Sequence, residues 1–322
     1  MHTERARASH ATDLVLMGVA LVWGSSYLVA KDLTVVAPIL VVLALRYAIS
    51  AVALIIVCRW ARTMITGRRE VVVGGLLGCT QAAVLTLETF GVSATTATNA
   101  GLIISLTVIF TPLLDSVWQR RPLPAPFFAA TVVGVVGVAL LVSSEGFRAP
   151  GWGDGPMLAA AAVRAVHVSL IGRLTADRPY SSLALTTIQA VAGTVVLSAA
   201  AAPQLAGVVT RLPLIAWAQL AYLALACTVF AFLAQTWAIR RTSASRASLL
   251  MGTEPVWAVA VGVGVGGEHL TPAIVAGAVL IVAATSYGQQ VERRHRLGGP
   301  TGGGRPPLLG QTSGGALEAA AE

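Results

Sequence analysis

The sequence predicts an all-α integral membrane protein: ten transmembrane helices in two inverted five-helix repeats around a central cavity. Three observations carry that expectation. Of the 322 residues, 56% are hydrophobic and 11% charged, with a mean hydropathy of +0.77, a balance too apolar for a water-soluble globule. The apolar residues fall into runs close to the roughly 20 residues that a membrane-crossing helix needs. The arginines, finally, gather in alternate connections, which sets both ends of the chain on one side.

The runs lie near 12–31, 37–57, 71–92, 98–118 and 124–144, and then near 154–173, 182–202, 212–237, 244–266 and 271–290. With the N-terminus inside, the inner segments hold Arg5, Arg7, Arg59, Arg62, Arg68, Arg69, Arg120, Arg121, Arg173, Arg178, Arg240, Arg241, Arg293, Arg294 and Arg296. The outer loops hold Lys31, Arg148 and Arg211. Short loops rich in positive charge stay on the cytoplasmic side, so the bias predicts a multi-pass protein of the plasma membrane with both termini in the cytoplasm. The formal charge of +8 belongs to this topology and not to nucleic-acid binding.

The first run is too long for a signal-peptide core and is read as an uncleaved span. Cys58, Cys79 and Cys227 all fall inside apolar runs without paired spacing, which argues against a disulfide framework or a zinc site. Five crossings flip the second copy relative to the first. A faint internal repeat agrees: Leu87–Ile103, LETFGVSATTATNAGLI, lies over Ala234–Leu250, AQTWAIRRTSASRASLL. The chain then divides into a cytoplasmic segment 1–11, a first repeat 12–144, an outer linker 145–153, a second repeat 154–290 and a Gly/Pro-rich cytoplasmic tail 291–322 read as disordered.

WGSS in the first run, Leu45-Arg46-Tyr47 in the second, TSASRASLLMGTEPVWA from Thr242, and Gly267-Glu268-His269-Leu270-Thr271 before the last run together resemble the EamA-type branch of the drug/metabolite transporters. The resemblance covers about 12–290 and rests on the order of weak motifs. It implies movement of amino acids, metabolites or xenobiotics, often outward, through a cavity between two inverted halves. Two positions depart from the family pattern: Gln119-Arg120-Arg121-Pro122 stands where a Gly-Glu pair is common, and Arg164 where tryptophan is common.

The candidate substrate-binding residues are the polar and aromatic groups set deep in the runs: Trp23, Ser25, Ser26, Tyr27, Arg46, Glu88, Arg164, His167, Glu254 and Trp257. Trp23, Ser26, Tyr27 and Ala30 share one helical face. Such a face either lines a cavity or packs closely on a neighbouring helix, and the resemblance favours lining. Arg46 and Arg164 lie mid-span, where an arginine costs about 2.5–3.5 kcal/mol to insert, so each must face a wet cavity or a salt bridge. His167 follows Arg164 by three positions on the same face.

Glu88, which shares a face with Gln81, is read as a fixed partner of Arg46 or Arg164. Glu254 shows no partner in the sequence, and a buried carboxylate is also a candidate proton carrier. Pro255 and Pro112 remove N–H groups and predict kinks, with Glu254-Pro255 and Trp257 forming a polar, bent patch. Gly74-x-x-x-Gly78 and the alternating glycines of 262–266 predict close helix packing.

The leading reading is a secondary transporter that exports a small amino-acid-like metabolite or xenobiotic by alternating access, with proton coupling open. Its partners are a small-molecule substrate and the lipid bilayer, with no cofactor and no nucleic acid. No GxxxxGK[ST] stretch exists to bind a nucleotide. An intramembrane enzyme would need paired acids, an HExxH set or a nucleophile with its base, and HExxH is absent. A non-transporting scaffold or a channel is the remaining alternative, although no ring of like charge marks a pore.

Overall fold

The computed structural model describes residues 2–94, 103–119, 123–143, 152–257, 260 and 271–298. Every regular element among them is helical: α1 (His2–Val36), α2 (Ile39–Trp60), α3 (Arg68–Ala94), α4 (Thr107–Gln119), α5 (Ala125–Ser143), α6 (Asp154–Thr175), α7 (Ser182–Val209), α8 (Leu214–Ile239), α9 (Ala244–Met251) and α10 (Pro272–Gly298). Among the described residues, six helices are long and apolar enough to cross a membrane: α2, α3, α6, α7, α8 and the Pro272–Glu292 part of α10. Shorter apolar stretches lie at Ala11–Ser26 within α1, at Ile103–Trp118 across the start of α4 and at Ala125–Leu140 within α5.

Local chemistry places the breaks. Pro38, extended at φ −58° and ψ 139°, separates α1 from α2. Ser181 caps α7 by accepting from the Ala184 N–H, and Ser243 caps α9 by accepting from the Arg246 N–H at 3.0 Å. Polarity is distributed inside out. Val52, Ile56, Val72, Val132, Val195 and Val279 are exposed, while Arg46, Gln81, Arg164, His167, Gln189, Gln235 and Glu254 are buried. Apolar side chains turned outward around a polar interior suit lipid as the surrounding solvent.

The two halves pair reciprocally. α2 packs on α7 and α5 on α10, each the counterpart of the other in its half; α3 with α6 is matched by α8 with α1, and α4 with α6 by α9 with α1. In each of these cases the exchanged pair also touches, the pattern of a two-fold-related contact. Small residues allow the approach. A Cβ on Gly74 would stand 2.7 Å from Ile188 Cγ2, and one on Gly78 2.6 Å from the Gln189 carbonyl oxygen, so the α3–α7 contact uses the Gly74/Gly78 stripe.

Several boundaries differ from the sequence reading. The span expected over 244–266 is interrupted: α9 stops at Met251, Gly252 and Thr253 form a turn, and the chain is helical again from Glu254 to Trp257. Pro255 cannot donate to the Met251 carbonyl, which is where the ladder breaks. Pro112, by contrast, lies inside α4. The last helix runs to Gly298, past the expected end near 290, because Glu292 is buried and accepts from Ser243 Oγ at 2.8 Å. Helix α1 begins at His2, within the segment set apart as 1–11. The tail beyond Gly298, residues 145–151 of the expected linker 145–153, Asn99 and the glycines of 262–266 lie outside the described residues.

An α8 turn departs from α-helical geometry. Leu225–Phe230 forms a π-helical segment, in which N–H groups reach back five residues. The sequence carries no signal for it, and it shapes the site.

Candidate functional site

One cavity lies among α1, α2, α3, α6, α8 and the Glu254 turn. It holds about 610 Å³ of atom-free space, open mouth included. Trp23, Ser26, Ala30 and Thr34 supply its α1 wall, at helical spacings that keep them on one face. Gln81, Leu85, Glu88, Thr89, Val92 and Ser93 supply the α3 wall, and Arg46, Arg164, Phe232 and Glu254 complete it. Thr34 and Ser93 stand near the C-terminal ends of their helices. From Trp23 to Thr34 the face climbs about 16 Å at 1.5 Å per residue, half the thickness of a bilayer core.

The base of the cavity is built around two guanidinium groups. Arg164 Nη2 donates to Glu254 Oε2 at 3.5 Å, and the guanidinium carbon lies 4.5 Å from the Trp23 ring centroid. Both partners of the ion pair are nearly closed to solvent, with side-chain exposures of 11% and 6%. The indole and the carboxylate together meet the need of a buried cation for both a π face and a counter-charge.

Arg46 is held differently. Its Nε donates to Thr228 Oγ1 at 2.7 Å and its Nη2 approaches the Cys227 carbonyl at 3.4 Å. Trp23 Nε1 donates to that same Cys227 oxygen at 3.0 Å, and Ser50 Oγ lies 3.1 Å from the Ala224 carbonyl. Thr228 Oγ1 in turn donates to Leu223 O at 3.1 Å. The π-helical turn therefore offers backbone oxygens of α8 to α1 and α2, and an arginine sits in the membrane interior on neutral acceptors.

The structure brings together Trp23, Ser26, Arg46, Glu88, Arg164 and Glu254 of the expected residues. It does not bring the others. Ser25, two positions or about 200° around the helix from Trp23, shares a 2.5 Å hydrogen bond with the Tyr222 hydroxyl and packs α1 on α8. His167 shares a hydrogen bond with Thr80 Oγ1 through Nδ1 at 2.8 Å and is not among the lining residues. Trp257 is half-buried and lines neither this cavity nor the second one described below. The side chain of Tyr27 lies outside the described residues.

Glu88 was expected to be the fixed partner of an arginine. It lines the cavity half-buried and makes no ion pair among the described residues; the pair belongs to Glu254. Glu254 reaches Arg164 because the break after Met251 turns its carboxylate toward α6. Gln81 lines the cavity, whereas Gln235 donates to Met251 Sδ at 3.4 Å. Sequence reasoning missed Thr34, Thr89, Ser93, Phe232 and Thr228. For Thr34 the signal was present, eleven positions from Trp23 on the same helical stripe, whereas Thr89 and Ser93, one turn apart, lie about 100° or more around α3 from Glu88 and widen the lining face.

A second, smaller cavity, with about 370 Å³ of atom-free space, open side included, lies on the other side of the ion pair, lined by Arg164, Glu254, Pro255, Ser105, Thr107, Ser248 and apolar neighbours. The Arg164–Glu254 pair is thus a shared wall. Past it, α9 is tied to three other helices. Arg246 Nη2 donates to both oxygens of Asp13 on α1 at 2.6 and 2.8 Å, Ser245 Oγ donates to Asp115 on α4 at 3.0 Å, and Ser243 Oγ to Glu292 on α10. The same end of the bundle carries Arg173 over Trp118, Arg240 bonded to Ser182, and the buried Glu70, which accepts from the N–H groups of Thr66 and Ser181.

A family model for the EamA-like transporter family matches residues 10–143 and again 152–287. A protein described as an uncharacterized transporter from Archaeoglobus fulgidus is 28% identical over 275 residues, spanning 84% of this chain and 83% of its own. A crystal structure of another protein shares the fold with a TM-score of 0.72 at 18% identity, over 88% of this chain and 98% of that one. With both repeats matched and the polar interior enclosed by apolar helices, the chain belongs to the EamA-like transporter family and is a multi-pass membrane protein.

Proposed function

We propose that the protein is a secondary transporter with ten transmembrane helices in two inverted halves, exporting a small amino-acid-like metabolite or xenobiotic from the cytoplasm by alternating access. The observation that carries this reading is the cavity built from both halves, with Arg46, Arg164, Glu88 and Glu254 on its walls. Two cations and two acids set against Trp23, Leu85, Val92 and Phe232 suit a zwitterion with an apolar body. The carboxylate of such a ligand would compete with Glu254 for Arg164, and its ammonium group would meet Glu88.

In this cycle the described arrangement corresponds to the state open to the arginine-poor side. The cavity reaches Thr34 and Ser93 at that end, while the opposite end is tied by Asp13–Arg246 and Asp115–Ser245. Both ties run from α9 of the second half to helices of the first, so rocking the halves must break them. The positive-inside bias makes that tied end cytoplasmic, with both termini there. Binding at Arg164 loosens the wall between the two cavities, and the path continues past Ser248 toward α9. The driving gradient is of protons if Glu88 or Glu254 takes one up during the cycle.

The test is a ligand-stabilisation screen on purified protein followed by flux in proteoliposomes. Zwitterionic amino acids with apolar side chains should raise the melting temperature, a ligand at one hundred times its Kd adding about 2.7 kcal/mol. The gain should vanish in Arg164→Gln. Absence of flux under every proton and substrate gradient, or stabilisation equally strong in Arg164→Gln, would overturn the proposal.

A further inference from the structure

A groove on the outer flank of the bundle, between α1, the start of α7 and the last turns of α8, stands apart from the transport cavity. It holds about 1230 Å³ of atom-free space, its open side included. Arg240 and Arg241 stand at one end with Trp237, and Leu233, Phe230 and Val15 line it further in. We propose that this groove binds an anionic phospholipid from the leaflet at the arginine-rich end, phosphodiester against the arginines and one acyl chain along α8.

Dimensions support the fit. From Arg240 to Phe230 the helix descends about 15 Å, half of a bilayer core of about 30 Å, so the groove ends near the midplane, where a single leaflet's acyl chain ends. The floor is small: a Cβ on Gly18 of α1 would stand 3.7 Å from the Phe230 ring, ordinary contact distance. Phe230 itself remains 44% exposed, an apolar ring turned to the outside.

The two arginines divide the work at the mouth. Arg240 builds the wall: Nη1 donates to Ser182 Oγ and Nη2 to the Arg178 carbonyl, both at 3.0 Å. Arg241 is exposed, its guanidinium carbon 4.2 Å over the Trp237 ring, and among the described residues it makes no hydrogen bond or ion pair. A guanidinium stacked on an indole keeps its N–H edge pointing outward, pre-organised for the two oxygens of a phosphodiester. Among the described residues no acidic side chain lines the groove. An indole at the same level is the usual companion of a lipid headgroup.

The experiment compares lipids with identical chains. Delipidated full-length protein in detergent is incubated with phosphatidylglycerol, phosphatidylcholine or chain-free glycerol phosphate, and retention after washing is read by native mass spectrometry. Phosphatidylglycerol should be retained at least about fivefold better than phosphatidylcholine, the contribution of one surface arginine. Arg241→Gln should remove that preference and Arg241→Lys should keep most of it. Equal retention of the two lipids by the parent protein would mean only a general lipid belt and would overturn the proposal, as would an unchanged preference in Arg241→Gln. Binding of glycerol phosphate as strong as that of the lipid would also overturn it. None of these readouts involves transport, so the outcome is independent of the substrate proposal.

Discussion

Asp13→Asn should loosen the closed end of the bundle and shift the protein toward the state open to the arginine-rich side. Arg246 Nη2 stands 2.6 and 2.8 Å from the two Asp13 oxygens, with side-chain exposures of 12% and 19%. An exposed pair would contribute about 0.2–1 kcal/mol, but short charge-assisted bonds largely screened from water lie nearer 1.5–3 kcal/mol. The contact joins α1 to α9, and the proposed cycle requires it to break when that end opens, so its loss should raise the open population roughly tenfold or more. The assay is the labelling rate of a single cysteine at position 248, on the second cavity, by a membrane-impermeant maleimide applied from the arginine-rich side, with Cys58, Cys79 and Cys227 replaced. Asp13→Asn and Arg246→Gln should each accelerate labelling by about that factor, and the double variant should go no further, because both remove one interaction. Exchanging the charges, Asp13→Arg with Arg246→Asp, should return the rate toward that of the parent. Unchanged labelling in the single variants, or additive effects in the double, would refute a clasp at this pair.

Glu254→Gln leaves Arg164 without its carboxylate and should lower stability by about 3–5 kcal/mol, visible as a fall in melting temperature that an apolar zwitterionic ligand no longer reverses. Thr228→Val takes the acceptor from Arg46 Nε while keeping the shape of the side chain; a loss of about 1.5–3 kcal/mol by thermal denaturation is expected. Gly78→Ala places a methyl 2.6 Å from the Gln189 oxygen, and prising α3 from α7 should cost about 1–3 kcal/mol in the same assay, whereas Gly75→Ala, with nothing within 4 Å, should be tolerated.

The membrane class, the position of most helices and the pairing of two halves follow from hydropathy, charge bias and the Thr/Ser/Ala repeat, because each is written along the chain in order. The α1 face was readable for the same reason: Trp23, Ser26 and Ala30 are related by helical spacing alone. What pairs with what was not. Glu254 and Arg164 are 90 positions apart, and only the break at Gly252 and Thr253 turns one toward the other. Arg46 defeats charge counting altogether, since its acceptors are a threonine hydroxyl and a backbone carbonyl. Asp13, inside the run at 12–31, was not marked by the sequence and is half of an inter-helix tie. Ser25 and His167 are polar residues in apolar runs that find partners on neighbouring helices, Tyr222 and Thr80, which is the commoner fate of such groups.

The π-helical turn also changes how the two repeats can be read against each other. One wide turn lets in a residue that a regular helix would not hold, and every side chain after it is rotated by roughly 100° relative to those before. Phe232 meets Trp23 and Tyr47 across the interior from beyond that turn, while Cys227 and Thr228 present their oxygens from within it. Helix α8 is therefore two helices in different phase on one axis. A single periodicity cannot describe it, and the likeness of Ala234–Leu250 to the first repeat begins only after the shift has been made.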